Sequence, residues 1–318
     1  MAGLHRTLCS AAGGDRVRVA AIDVGTNSTR LLVAEALADG FRPIDRRMTI
    51  TRLGEGVDRR RAFAPEALER TLMTIADYAA ACGEYSVERL RVTGTSAVRD
   101  ARNRDEFFEG VRTLTGVEPE VLTGEAEATA TFRGTICDLP DHGEVLVVDI
   151  GGGSTELISG TTGPEHLVSL DFGCVRMFEK HLHSDPPAPN ELDALRAEVT
   201  EALEDVMEVL EVPPGARMIG VAGTVTQLAT LNAGLPVYDP DVTHHALLSH
   251  GDVRRLARRL ETLPYEKRSR VKGLEAGRVD VIVAGAEILL CVMETFDAAE
   301  VLVSEKDILD GLVLELLG

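Results

Sequence analysis

The chain has 318 residues, a formal net charge of −19 and only 4% aromatic residues. That length exceeds a comfortable single core and predicts two domains, while the charge disfavours nonspecific nucleic-acid binding and long-range capture of a polyanion, so an anionic substrate needs a local basic patch or a metal. No apolar run approaches the roughly 20 residues of a membrane span, and the five cysteines form no C-x-x-C pair, which argues against a zinc or disulfide framework and fits a cytoplasmic protein.

Residues 1–16 (M-A-G-L-H-R-T-L-C-S-A-A-G-G-D-R) are expected to be a disordered extension. The β-branched run Val17 to Ile22 then reads as a strand that enters D-V-G-T-N-S-T-R-L-L-V at Asp23. R-P-I-D-R-R-M-T-I-T-R is an expected edge strand, and Arg59, Arg60 and Arg61 a solvated turn. Pro65 occupies the place of a first helical residue, followed by a stripe of Leu68, Leu72, Ile75 and Ala79. Leu90 and Val92 mark a strand that runs into T-G-T-S-A-V-R, where Arg99 follows a donor-rich loop at a strand end. A helix through Phe107, Phe108, Val111 and Leu114 and a short strand V-E-P-E-V-L come next.

T-G-E-A-E-A-T-A-T-F-R-G-T-I opens a helix with Glu125 and Glu127 in its first turns. They could merely complement the helix dipole. The alternative makes Glu127 a general base, because it precedes the crossing from one half of the chain to the other and could sit in the cleft between them. The strand Val145 to Val148 then enters D-I-G-G-G-S-T-E-L-I-S at Asp149, matching the first copy in Asp, Gly, Ser, Thr and Leu.

One such turn would be read as a plain hairpin. Two copies, each led by Asp, point to a phosphate site: glycines let the backbone approach an anion, and Thr26, Asn27, Ser28, Gly151, Gly152, Gly153 and Ser154 supply amide and side-chain donors. The Asp that opens each copy, Asp23 or Asp149, could bridge a hard cation to phosphate oxygens.

F-G-C-V-R is read as a turn carrying Arg176, and His181 and His183 as surface residues. Asn190 is the expected N-cap of a long helix striped by Leu192, Leu195, Val199, Leu203, Val206 and Leu210. Ala216 to Val221 is a buried-type strand opening A-G-T-V-T-Q-L-A, where Gly223 and Thr224 could hold phosphate or nucleotide at a helix N-terminus, or simply pack strand against helix. His244, His245 and His250 show no metal-ligand spacing. The basic tract Arg254 to Arg278 is either a solvated face or a landing strip for a polyanion tail, with the tail favoured. A nearly all-apolar helix over V-D-V-I-V-A-G-A-E-I-L-L-C-V-M is expected at the centre of the second core, and E-V-L-V-S-E-K-D-I-L-D-G-L closes the chain as strand and helix.

Taken in order, A-I-D-V-G-T-N-S-T-R-L-L-V, T-G-T-S-A-V-R, T-G-E-A-E-A, V-V-D-I-G-G-G-S-T-E-L, F-G-C-V-R, G-V-A-G-T-V-T-Q-L-A, R-V-D-V-I-V-A-G-A-E-I-L and V-S-E-K-D-I-L-D-G resemble the exopolyphosphatase/guanosine pentaphosphate phosphatase family of the actin-like ATPase superfamily. The resemblance implies an α/β fold of two ribonuclease-H-like domains flanking a cleft. By motif position the first would be 17–125 plus 306–318, with the last helix packed back on it, and the second 126–305. It also implies hydrolysis of a terminal phosphoanhydride with Mg²⁺, or Mn²⁺ in its place. Glu127 matches the family's catalytic glutamate; Asn27, Arg99, Gly151 and Ser154 match phosphate-binding positions; Asp149 and Glu156 match acids near the metal, with Asp23 as their partner. Ala126 departs from the family's frequent pair of adjacent acids. The expected substrate is inorganic polyphosphate, with guanosine pentaphosphate as the alternative and an actin- or chaperone-like nucleotide switch as the rival from another class; no nucleic acid or membrane partner is expected, and the expected assembly is a homodimer.

Overall fold

The computed structural model describes residues 17–139, 141–207 and 209–318, so the expectation for residues 1–16 lies outside the described residues. The first sheet is built from β1 (Arg18–Val24), β2 (Ser28–Leu37) and β3 (Gly40–Ile50), then, after α1 (Val57–Arg60) and α2 (Pro65–Glu84), from β4 (Arg89–Gly94) and, after α3 (Ser96–Asp100) and α4 (Arg104–Thr115), from β5 (Glu120–Val121). Helix α5 (Gly124–Ile136) leads to the second sheet: β6 (Val145–Ile150), β7 (Thr155–Gly160), β8 (Pro164–Leu170), α6 (Cys174–His181), α7 (Pro189–Met207), β9 (Arg217–Val221), α8 (Ala222–Asn232), α9 (Pro240–Thr243), β10 (Leu247–Ser249), α10 (His250–Glu261), α11 (Tyr265–Arg268), α12 (Ile282–Thr295) and β11 (Glu300–Val303). Helix α13 (Ile308–Leu317) closes the chain.

The strand orders are β3-β2-β1-β4-β5 and β10-β11-β9-β6-β7-β8. Read from β8, the second repeats the first and adds β10 at its edge: an antiparallel meander followed by strands parallel to its first member. The sequence repeat is therefore a repeat of topology.

Strand alternation then aims the site. In β1, Ala20, Ile22 and Val24 face the core under α2 and α4, while Val19 and Ala21 face α13. In β6, Leu146, Val148 and Ile150 face the large core under α7, α8, α10 and α12, while Val145 and Val147 face Ala128 and Phe132 of α5. Continuing that period of two puts Asp23 and Asp149 on the inner faces, toward the α5–α13 layer between the sheets. The two helices meet closely, since a Cβ at Gly134 would lie 1.9 Å from the Asp307 carbonyl oxygen and one at Gly311 1.9 Å from that of Ala130. Leu309, Leu312 and Val313 pack α13 on the first sheet.

Three local expectations are corrected. Pro189, whose missing N–H costs nothing at a helix start, is the first residue of α7, so Asn190 lies inside the helix. Arg176 sits in helix α6 rather than a turn. The Arg254–Arg278 tract is no continuous strip: Arg268 and Arg278 are buried, Arg254 pairs with Glu294, and Arg255 pairs with Asp252. Among the described residues no helix is long and apolar enough to cross a membrane.

Candidate active site

The two repeated turns fold alike. Gly25 N–H donates to the Ser28 carbonyl at 2.9 Å, and Gly151 N–H to that of Ser154 at 3.0 Å. They also touch each other: a Cβ at Gly152 would lie 2.9 Å from Thr26 Cβ, and one at Gly153 2.8 Å from Thr26 Oγ1. Only a residue without a side chain lets the turns close to this distance. Between them and the α5–α13 layer is a cavity of about 410 Å³ lined by Asp23, Thr26, Asn27, Ser28, Glu127, Asp149, Gly151, Gly152, Gly153, Ser154 and Gly223 among others. The two opening aspartates thus share one chamber. A larger hollow of about 930 Å³ lies at the opposite ends of the second sheet's strands, around Arg217 and Glu300, and is lined by neither turn.

The copies differ in charge at one position. Asp23 and Arg30 are cross-strand partners in β1–β2, as Asp149 and Glu156 are in β6–β7. In the first copy Asp23 accepts from Arg30 Nη2 at 2.6 Å, and the same guanidinium reaches Asp307 at the start of α13. Asp23 is thereby neutralised by its neighbour. In the second copy two acids stand side by side, Glu156 only 1% exposed and accepting from Ser169 Oγ at 2.7 Å. Burial, then the charge of Glu156, pushes Asp149 up to about 8. Burial raises Glu156 too, against hydrogen bonds from Ser169 and Ser154. A pair of buried, hard oxygen donors with surplus negative charge fits a small divalent cation. Asp149 lines the cavity, its cross-strand partner Glu156 does not, and Asp23 Oδ2 is already paired with Arg30.

Glu127 is 8% exposed in the first turn of α5, whose N-cap Thr123 accepts from Ala126 N–H at 3.2 Å. Its carboxyl is held well above the usual range by burial, then by repulsion from Glu156, Asp23 and Asp149, with Arg99 opposing. Arg99 Nη1 donates to Glu127 Oε2 at 3.3 Å and to the Leu122 carbonyl at 2.8 Å. Arg99 therefore holds Glu127 and is not among the residues that line the cavity.

On the opposite wall α8 begins with Ala222 at φ 65°, a left-handed conformation, and its first turns line the cavity through Gly223, Thr226 and Gln227. Thr224 does not join them: its hydroxyl packs where a Cβ at Gly285 would lie, 2.7 Å away, on the α8–α12 contact. Asn27 Nδ2 is buried without a hydrogen-bond partner, a donor waiting for an acceptor.

Sequence reading missed Arg30, Arg46, Tyr238, Glu305 and Asp307, all of which line the cavity. The signal for Arg30 was in the repeat, seven residues after Asp23 as Glu156 is after Asp149. Arg278 is the one member of the basic tract in the lining, its guanidinium lying where a Cβ at Gly223 would be, 2.0 Å from Nη1.

Over its whole length the chain is similar to proteins of one group. Exopolyphosphatase 2 of Mycobacterium tuberculosis is 39% identical over 315 residues, covering 95% of this chain and 99% of that protein. The guanosine-5'-triphosphate,3'-diphosphate pyrophosphatase of Vibrio vulnificus is 26% identical over 96% of this chain and 60% of its own length. The solved Aquifex aeolicus PPX-GPPA enzyme superposes with a TM-score of 0.81 at 32% identity, covering 94% of this chain and 99% of that one. These likenesses bear out the expected α/β fold, built here on two sheets of repeated topology. The family's own pattern matches residues 9–318, and the chain belongs to the Ppx/GppA phosphatase family.

Proposed function

We propose that this chain is an exopolyphosphatase, releasing terminal orthophosphate from inorganic polyphosphate by attack of water. The observation that carries the mechanism is Glu127: one buried carboxylate with raised proton affinity facing a chamber formed by two phosphate-type turns. The terminal phosphoryl group is gripped by the turn amides, the Asn27 side-chain N–H and the N-terminus of α8. Glu127, aimed by Arg99, accepts a proton from water as the water oxygen bonds to phosphorus. The bridging P–O bond breaks, one orthophosphate leaves, and the chain is shortened by one unit. Mg²⁺, or Mn²⁺ in its place, would be held by Asp149 and Glu156 and would supply charge neutralisation for the phosphoryl oxygens. Arg30, Arg46, Arg47 and Arg278 reach the lining, each also paired with an acid, whereas the one aromatic there, Tyr238, has its hydroxyl engaged by Glu305. That favours polyphosphate over guanosine pentaphosphate.

Glu127→Gln keeps the size and removes the base. Phosphate release from polyphosphate should fall by roughly 10²–10⁴-fold with binding retained; near-normal turnover would refute the assignment. Parallel assays on guanosine pentaphosphate test the alternative, which a higher kcat/KM for the nucleotide would favour.

A further inference from the structure

Behind the cleft wall, Asp138 just past α5 meets His244 and His245 on the α9–β10 connection, with one ligand atom from each within 4.8 Å of the others. His244 Nε2 is 2.9 Å from Asp138 Oδ2, and His245 Nε2 is 3.7 Å from Oδ1. The sequence showed no such set because Asp138 lies 106 residues from His244. We infer that Asp138, His244 and His245 form a second metal site, distinct from the catalytic acids, for a borderline divalent ion such as Zn²⁺.

Three observations carry this. Consecutive residues in extended chain point to opposite sides, yet His245 takes φ 61°, and the two rings stack with centroids 3.8 Å apart, both nitrogens toward one carboxylate. A plain Asp–His link needs neither the second ring nor a backbone conformation that L residues seldom adopt. Asp138 Oδ1 is buried with no hydrogen-bond partner, an acceptor facing the histidines. Zinc bonds of about 2.0–2.2 Å place tetrahedral ligands roughly 3.4 Å apart, close to the spacings seen. His245 is half-exposed, which leaves an entry path and room for a water as fourth ligand.

The site is wired to the cleft. His244 Nδ1 accepts the Glu305 backbone N–H at 3.1 Å, so its proton resides on Nε2. Zinc at Nε2 would transfer that proton to Nδ1 and turn the Glu305 amide away, and Glu305 lines the cavity.

The test uses untagged full-length protein, stripped of transition metal and held in excess Mg²⁺. Equilibrium dialysis against Zn²⁺ should find one tightly held ion in wild type and none in His245→Asn or Asp138→Asn; Asn tolerates the left-handed backbone at 245. With Co²⁺, wild type should show the d–d bands of low-coordinate N/O ligation, and the variants should lose them. Equal stoichiometry in all three proteins, or no bound zinc in wild type, overturns the site. Zinc should also slow phosphate release at least ten-fold more in wild type than in His245→Asn, and equal slowing would overturn the link to the cleft.

Discussion

Replacing Glu156 with Gln tests the claim that the second copy of the turn, not the first, carries the unbalanced charge. Asp149 is pushed from 3.8 to about 8, an ionisation penalty of ~5–6 kcal/mol. Burial is its first cause and Glu156 its second, so the share relieved by removing the Glu156 charge is about 2 kcal/mol. Gln keeps the shape and can still accept from Ser169 Oγ. Between pH 4 and 8 the folded chain holds a proton on Asp149 that the unfolded chain has lost, so stability falls as pH rises through that window. In EDTA at pH 8 the variant should therefore melt higher than wild type. With an unfolding entropy near 2.1 cal/mol/K per residue, ~2 kcal/mol over this chain is roughly 3 °C, shrinking to nothing near pH 4. In Mg²⁺ the order should reverse, because wild type gains a ligand-linked rise in Tm that the variant lacks. Calorimetry across pH, with EDTA and with Mg²⁺, reads both. A variant that melts lower in EDTA at pH 8, or that keeps the full Mg²⁺ shift, would refute the assignment of the cation to Asp149 and Glu156.

Other expectations follow from single contacts. The Arg99 charge lowers the proton affinity of Glu127, so Arg99→Met should move the acid limb of the kcat/KM profile to higher pH, and Arg99→Lys should restore part of the shift; an unmoved limb would separate Arg99 from the base. In wild type the rate should rise with pH through the raised titration of Glu127 and flatten above it, which a pH series at saturating Mg²⁺ records. Gly134→Ala puts a methyl 1.9 Å from the Asp307 carbonyl and 2.7 Å from Gly311 N, both backbone, and should cost about 3 kcal/mol by denaturant melts. Gly163→Ala, with nothing within 4 Å, is the control and should melt like wild type.

What the sequence made legible was whatever repeats locally. Asp-x-Gly with Ser and Thr five and six residues after the Asp, following a β-branched run, marks β1–β2 and β6–β7, and the alternation of Val19, Ala21 and Asp23 already says which way the carboxylate points. The stripes of α2 and α7 likewise announce their buried faces. What stayed hidden depends on contacts across a hundred residues or more: Arg30 with Asp307, Arg46 with Asp310, Asp138 with His244. Arg99 shows the same limit at shorter range. Its position after a donor-rich loop suggested a phosphate ligand, but the Leu122 carbonyl and Glu127, on the segment leading into α5, take its hydrogen bonds.

The difference between the two copies explains why a symmetric pair of turns yields an asymmetric site. Had both copies carried Arg at the seventh place after Asp, both aspartates would be neutralised and the chamber would have no surplus charge to hold a cation. Had both carried Glu, four acids would crowd the inner faces with Glu127, Asp307 and Asp310 beside them, and burial would force most of them to keep their protons. One Arg and one Glu instead divide the labour. Arg30 locks the first turn to the start of α13 through Asp23 and Asp307, which fixes the frame, while Asp149 and Glu156 leave the second turn short of positive charge next to Glu127. Exchanging the charges, Arg30→Glu with Glu156→Arg, should then do more than remove activity: it should move any divalent-ion stabilisation to the Asp23 side, and finding that stabilisation still dependent on Asp149 in the swapped chain would show that the seventh residue does not decide where the cation sits.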